Sequence, residues 1–404
     1  MKFYYKGKTK EGAVVDGTKE TDNKFSLGRE LKASGIFVTE IKEVKDKKSF
    51  NLGNISFLQK VKIEEKIIFT RNLAGMITAG LSLARALQVL EKQSKNPKLK
   101  NVINSLVSEI NSGGNLSSGM EKAPDVFSAL FVSMVRAGEE SGSLAQSLKE
   151  VGVNLEKTYE LRKKVKGAMT YPSIIVGAIA LVGVLMMIYV VPTLTKTFIE
   201  MGIELPPTTK LIIFTSNALK NNILIILIGV VGLVAGVRFL LKTAKFKRFF
   251  DYFVLKIPVV GIIVKEVNSA RTARTLTSLL FAGVSITKAI EITKDVLQNS
   301  RYKEVLDNAI SRIEKGEALS SVFKERTDLY PIMVGEMMEV GEETGKLSDM
   351  LSDIARFYEE EVDSKTKNLS TIIEPVLMVL IGGAVGFFAL SMISPMYSIL
   401  DTIG

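Results

Sequence analysis

The chain has 404 residues, 47% of them hydrophobic and 24% charged, with a formal net charge of +10 at pH 7. It contains no Cys and no His, which removes disulfide frameworks, thiolate and imidazole metal sites, thiol nucleophiles and imidazole acid–base catalysis together. A mean hydropathy of +0.23 points to apolar residues gathered in blocks, and the basic excess suits either nucleic acid or an anionic membrane face.

Met1-Lys2-Phe3-Tyr4-Tyr5 has no apolar h-region, so no cleaved secretory signal is expected. Residues 1–44 read as a small α/β unit. Phe3-Tyr4-Tyr5 and Ala13-Val14-Val15 flank a Lys/Gly turn, Phe25, Leu27 and Leu31 mark a short helix before Gly35, and Ile36 to Ile41 reads as a strand. Residues 45–62, with Lys45, Lys47 and Lys48, read as a Lys-rich linker or a basic patch against anionic lipid.

From Ile63 the period becomes helical. One helix runs to Ala79-Gly80, and a second, with Ser82 as its cap, carries Leu83, Leu87 and Leu90 to Asn96-Pro97. A third spans Leu99 to Ile110 before Gly113-Gly114, and a fourth, introduced by Pro124 and Phe127, runs through Val132 and Val135 into Gly138. After Gly142, Leu144, Leu148, Val151 and Leu155 make one apolar stripe. Short loops imply antiparallel neighbours, hence a compact bundle over residues 63–170.

Three stretches, Ser173–Val191, Ile223–Leu241 and Pro375–Ile393, have the length and apolarity to cross a bilayer. They define transmembrane segments over 171–194, 222–241 and 374–397. Between them lie an extracytoplasmic loop at 195–221 and a second helical bundle at 242–373, and residues 398–404 form a short extracytoplasmic tail. Arg162, Lys163, Lys164 and Lys166 precede the first span, Arg238, Lys242, Lys245, Lys247 and Arg248 end or follow the second, and Lys365 and Lys367 precede the third. The positive-inside rule then puts both bundles and the N-terminal unit in the cytoplasm and the C-terminus outside it. The basic excess is thereby topological, and no nucleic-acid partner is expected.

The second bundle repeats the first. Gly138-Glu139-Glu140-Ser141-Gly142 recurs as Gly341-Glu342-Glu343-Thr344-Gly345, an offset of 203 positions (341 minus 138). At that offset Arg71 matches Arg274, Gly113 matches Gly316, Pro172 matches Pro375 and Pro192 matches Pro395. The stripe recurs too, as Leu347, Leu351, Ile354 and Tyr358. A gapless register of this length is an internal duplication, with the second span an extra crossing between copies.

The repeated turn invites chemical readings. Gly341 to Leu347 superficially suggests a P-loop, but its glycines are too close, Leu347 stands where a magnesium-binding Ser or Thr belongs, and two glutamates would repel phosphate. Glu139-Glu140 and Glu342-Glu343 could serve as an acid/base pair or as ligands of a divalent ion, but adjacent helical residues diverge and no third polar partner is evident. Two readings remain: a turn in which Gly138, Gly142, Gly341 and Gly345 join helices, with carboxylates near a helix N-terminus, or an acidic corner for partner docking. No catalytic, cofactor-binding or metal residue is assigned. The spans hold no acidic residue, which argues against transport, while Gly232 with Gly236 and Gly382 with Gly386 suit close helix packing within the chain or between protomers.

Arg71-Asn72-Leu73-Ala74, Ala79-Gly80-Leu81-Ser82-Leu83, Arg136 to Leu144, Tyr171-Pro172, Val340 to Leu347 and Glu374-Pro375 together resemble the type II secretion system F family, PilC/GspF-like. Tyr5-Lys6-Gly7 through Gly12 to Gly17-Thr18 is similar to that family's leading domain. The resemblance implies a mainly α integral membrane protein with two duplicated cytoplasmic bundles, three transmembrane helices and a small N-terminal α/β unit. It further implies a non-enzymatic inner-membrane platform for type IV pilus assembly or type II secretion. The implied partners are a hexameric assembly ATPase, pilins or pseudopilins, other inner-membrane assembly proteins, the lipid bilayer and further copies of the chain as dimer or tetramer. The family offers no settled catalytic residues to carry over. A membrane scaffold or sensor unrelated to secretion is the alternative from another class.

Overall fold

A computed structural model describes residues 2–9, 14–21, 23–43, 60–200 and 205–403. All but three residues of the expected Lys-rich linker, Lys45, Lys47 and Lys48 included, lie outside them. The chain divides into two units, residues 1–60 and 61–404.

The first unit is a three-stranded antiparallel sheet in the order β2-β1-β3, from β1 (Lys2–Thr9), β2 (Val14–Glu20) and β3 (Ile36–Glu43). Tyr4 stands opposite Thr18 on one side and Lys42 on the other. Helix α1 (Lys24–Ala33) starts at a capping box in which Asn23 accepts from the Ser26 N–H and Ser26 Oγ faces the Asn23 N–H. Its Leu27 and Leu31 bury against Phe3, as the periodicity of each element requires.

The second unit is helical throughout. The first bundle comprises α2 (Ile63–Thr78), α3 (Leu83–Gln93), α4 (Pro97–Asn111), α5 (Leu116–Glu121), α6 (Ala129–Glu140) and α7 (Leu144–Ala168). After α8 (Thr170–Leu185), a π-helical turn (Met186–Val190), α9 (Val191–Glu200), α10 (Pro207–Asn221), α11 (Ile223–Leu240) and α12 (Ala244–Lys256), the second bundle repeats the pattern. Its helices are α13 (Val260–Phe281), α14 (Ile286–Val296), α15 (Ser300–Ile313), α16 (Leu319–Glu325), α17 (Ile332–Glu343) and α18 (Leu347–Ile403). One hydrophobic cluster runs through both bundles, and α7 packs on α13 and α18. In that contact Asn154 Nδ2 donates to Ser278 Oγ at 2.9 Å in a buried setting, and Lys164 pairs with Asp363 at 3.0 Å.

Three helices are long and apolar enough to cross a membrane, and two of them begin inside the bundles. A helical rod runs from Leu144 to Glu200, and its repeat partner from Leu347 to Ile403. The sequence reading ends the bundles at residues 170 and 373, but the structure carries the helix past both bounds and past Pro172 and Pro375. Pro172 lies in the first turn of α8, where its missing N–H costs no helical bond, and Pro375 is accommodated inside α18.

The expected loop at 195–221 is mostly helix, α9 and α10. Helix α10 lies across the far ends of the two rods, and Ile212 joins Val191 and Met392 in a small apolar cluster. Pro192 and Pro395, equivalent in the repeat, each free a carbonyl in its rod. At Pro395 the orphan is the Ser391 carbonyl four residues back, and buried Thr209 Oγ1 donates to it at 2.5 Å. At Pro192 the winding is π-helical, so the orphan is the Met187 carbonyl five residues back, and Ser216 Oγ donates to it. Hydroxyls supplied by a neighbouring helix are how proline is tolerated at membrane depth.

Candidate functional site

The two acidic turns have the same construction, and each of their residues has a distinct physical task. Gly138 and Gly341 sit where α6 crosses α7 and α17 crosses α18. A Cβ on Gly138 would overlap the Ser147 side chain and stand 3.2 Å from the Leu144 Cα; one on Gly341 would stand 2.9 Å from the Leu347 Cα. Gly142 and Gly345 have φ of 72° and 67°, the left-handed conformation that closes a helix. The Ser143 and Lys346 N–H groups then donate back to the Gly138 and Gly341 carbonyls at 2.8 Å each.

The first glutamate of each pair turns inward. Glu139 accepts from the Leu116 and Ser117 N–H groups at 2.5 and 2.9 Å, and Glu342 from those of Leu319 and Ser320 at 2.7 and 3.0 Å. These are the first residues of α5 and α16, whose own N-cap residues, Asn115 and Ala318, make no side-chain cap bond. A carboxylate from another helix therefore satisfies the orphan donors and meets the positive helix end. The expected proximity of carboxylate and helix N-terminus exists, but to a helix 22–23 positions back rather than to the one that follows. Glu140 and Glu343 are exposed and make no ion pair among the described residues, so any acidic docking corner reduces to these two. Each turn follows a helix, α6 or α17, rather than the strand a P-loop needs. Among the described residues no group of three or more acidic side chains is arranged around a common point for a metal.

Beside each turn lies an ion pair whose signs are reversed between copies. Arg136 pairs with Glu121 at 2.6 Å, whereas at the same repeat positions Glu339 pairs with Lys324. A second repeated pair, Arg71–Glu156 and Arg274–Glu359, ties the first helix of each bundle to the last. The second of these lines a charged cleft of about 440 Å³ together with Lys157, Lys164 and Asp363. Hydrogen bonds from Lys367 and Lys164 hold the Asp363 carboxyl below its usual range.

The transmembrane glycines make no close packing contact among the described residues. At Gly232, Gly236, Gly382 and Gly386 a Cβ would meet no heavy atom of the described residues within 4 Å. Helix α11 has no buried residue, so its packing surface is open along its length.

The fold is that of a membrane protein built on a duplicated helical bundle whose last helix continues into the bilayer span. Residues 69–192 and 272–395 each match the family described as type II secretion system (T2SS), protein F, and the chain belongs to that family. The two matches are themselves 203 positions apart (272 minus 69). The chain is 34% identical over 401 residues to type IV pilus assembly protein PilC of Thermus thermophilus, covering 99% of this chain and 98% of the relative. It is 32% identical over 403 residues to the protein of the same name from Myxococcus xanthus, covering 99% and 95%. Against type II secretion system protein F of Vibrio cholerae the identity is 29% over 395 residues, covering 97% of each.

Proposed function

We propose that this chain is the polytopic inner-membrane platform of a type IV pilus assembly machine, linking a hexameric cytoplasmic ATPase to the extraction and polymerisation of pilins. The observation that carries the reading is mechanical. The last helix of each bundle and its membrane span form one rod, Leu144–Glu200 and Leu347–Ile403, so a bundle moved by a partner moves its span. Basic residues flanking the spans favour cytoplasmic bundles and N-terminal unit with an extracytoplasmic C-terminus. The open glycine faces on α11 and α18 suit packing against pilin helices or a second protomer in a dimer or tetramer. Exposed Glu140 and Glu343 are the candidate contacts to the ATPase. The two pilus relatives, at 34% and 32% identity, favour pilus assembly; the secretion relative, at 29%, keeps the equivalent platform of a type II secretion system as the second reading.

Inserting a flexible Gly-Ser segment between Lys166 and Thr170 cuts the first rod while leaving bundle and span intact. Surface pili should disappear at unchanged protein level and membrane insertion. Normal piliation with that insertion, or after deletion of residues 63–170, would sink the coupling reading. Photocrosslinkers at Glu140 and Glu343 should capture the ATPase in native membranes, and failure there with pili intact would remove the docking role alone.

A further inference from the structure

The two copies also differ in charge at one pocket. In the first bundle a mostly apolar pocket beside α2 and α4 is lined by Glu65, Ile68 and Lys95 among others. The equivalent positions in the second bundle, Asn268, Arg271 and Gln298, line a pocket of about 470 Å³. The exchange removes a carboxylate and an ammonium group at the rim and plants a guanidinium where the first copy has Ile68. Since Ile68 is 59% exposed there, the repeat does not need a cation at that position to fold.

Arg271 is partly buried and has no hydrogen bond or ion pair among the described residues, and its Nε is wholly enclosed. Burial, and then the like charge of Arg162, push its guanidinium below the ordinary value, so the site disfavours the very charge it holds. An unpaired enclosed cation is costly unless an anion completes it. Lys247 on the facing wall likewise has no ion pair among the described residues. The pocket's one acid, Asp251, is engaged elsewhere, accepting from the Ser300 N–H and Oγ at 2.8 Å each.

Most of the remaining lining is apolar, Phe250, Val254, Ile263, Val264 and Val267 with Val165 and Leu241 at the ends of α7 and α11, beside the polar Asn268, Gln298 and Asn299. Val165 lies five positions before α8 begins, and Leu241 directly follows α11, so the pocket sits where two membrane spans end. Helix α12, which forms one wall, exposes Phe249, Tyr252 and Phe253 beside Lys245. Aromatic and basic residues on one short helix next to a span suit the headgroup layer. A soluble anion would gain nothing from those apolar walls.

We infer that the pocket between α12 and α13 holds the phosphate of an anionic phospholipid, with the Arg271 guanidinium and the Lys247 ammonium on its oxygens and the glycerol and upper acyl chain against the apolar wall. Arginine offers several donors to such an oxygen cluster, and basic pockets at the cytoplasmic ends of spans are suited to acidic headgroups. The inference is independent of which machine the protein serves.

The test uses the purified full-length chain in detergent and counts retained phosphatidylglycerol and cardiolipin against phosphatidylcholine by native mass spectrometry. The wild type should prefer the anionic lipids, and Arg271→Ile should lower that preference by about tenfold, the scale of a charge-assisted hydrogen bond. Its thermal midpoint in phosphatidylcholine should be unchanged or raised, since an unpaired cation is removed. Should that variant misfold, Gln298→Glu answers instead, because it sets a carboxylate beside Arg271 from an exposed position and should cut the preference several-fold. Arg248→Gln, at an exposed residue paired with Glu304, should leave it unchanged. The inference is overturned if Arg271→Ile keeps the wild-type preference, or if Arg248→Gln loses as much. It is equally overturned if inorganic phosphate or a soluble nucleotide protects the wild type as well as phosphatidylglycerol does.

Discussion

The two bundles share a skeleton and differ in what fills it. Both close their acidic turns with the same glycines and the same inward carboxylate, yet their centres are chemically unlike. In the first, Phe69 and Phe127 pack with ring centroids 5.8 Å apart. At the same positions the second has Thr272 and Tyr330, whose hydroxyls are 3.0 Å apart in a buried hydrogen bond. Leu99 is likewise replaced by Tyr302, which donates to the Leu329 carbonyl at 2.7 Å. Substitutions therefore come in coupled sets, because a buried hydroxyl is tolerated only with its partner. The surroundings differ as well. Arg71 and Glu156 are 62% and 32% exposed, but Arg274 and Glu359 only 14% and 15%, because α7 of the first bundle lies over the second pair and nothing described covers the first.

The shared part of this comparison should break hardest. Glu139→Ala and Glu342→Ala each strand two backbone N–H groups at a helix start, and each should cost about 3 kcal/mol in thermal unfolding of the detergent-solubilised protein. Glu140→Ala and Glu343→Ala should stay within about 0.5 kcal/mol, as exposed changes do. Equal effects from both members of a pair would refute the division of labour within the turn. The differing part is sharpened by a double-mutant cycle. Thr272→Val leaves the Tyr330 hydroxyl buried without its partner and should cost about 1–2 kcal/mol, most of it recovered in Thr272→Val/Tyr330→Phe. Phe127→Tyr in the first bundle should show the same cost with no rescue, since Phe69 offers no hydroxyl.

Much of this architecture was legible in the residues. The three apolar blocks, the Gly-punctuated helices and the gapless offset of Pro172, Pro192, Gly113 and the acidic turn onto their partners suffice for a duplicated membrane bundle. The task of Glu139 was not legible, because its partners are backbone groups of Leu116 and Ser117, which carry no side-chain signature and lie far back in the chain. Nor was the helicity of residues 207–221, which the sequence places only in an extracytoplasmic loop. Pro206-Pro207 before Ile212 and Ser216 was the available signal, a proline at the first helical turn followed by an inward-facing stripe. The coupled exchanges were within reach too, since the offset of 203 turns one chain into two aligned sequences.

Helix α10 has no repeat partner, yet it serves both copies, and this asymmetry predicts a smaller effect. Thr209→Val and Ser216→Ala should each cost about 1 kcal/mol by leaving the Ser391 or Met187 carbonyl without a donor. Pro395→Ala restores the missing N–H to its rod, so Thr209→Val should be nearly neutral in that background. A Thr209→Val penalty that persists there would mean the hydroxyl does something other than answer the proline.

The smallest expected effect tests the reversed ion pair. Arg136 and Glu121 are exposed, so their attraction is screened and worth about 0.2–1 kcal/mol. Arg136→Glu alone sets two carboxylates side by side and should destabilise by about that much, as should Glu121→Lys, which opposes two cations. The double variant Arg136→Glu/Glu121→Lys gives the first bundle the signs that Glu339 and Lys324 carry in the second, and it should return to wild-type stability, with the coupling fading as salt is raised. If the double variant instead costs the sum of the singles, the position tolerates only one sign order in the first bundle. The equivalence of the two copies would then stop at their backbone, with the surface beside each acidic turn specialised for a different neighbour.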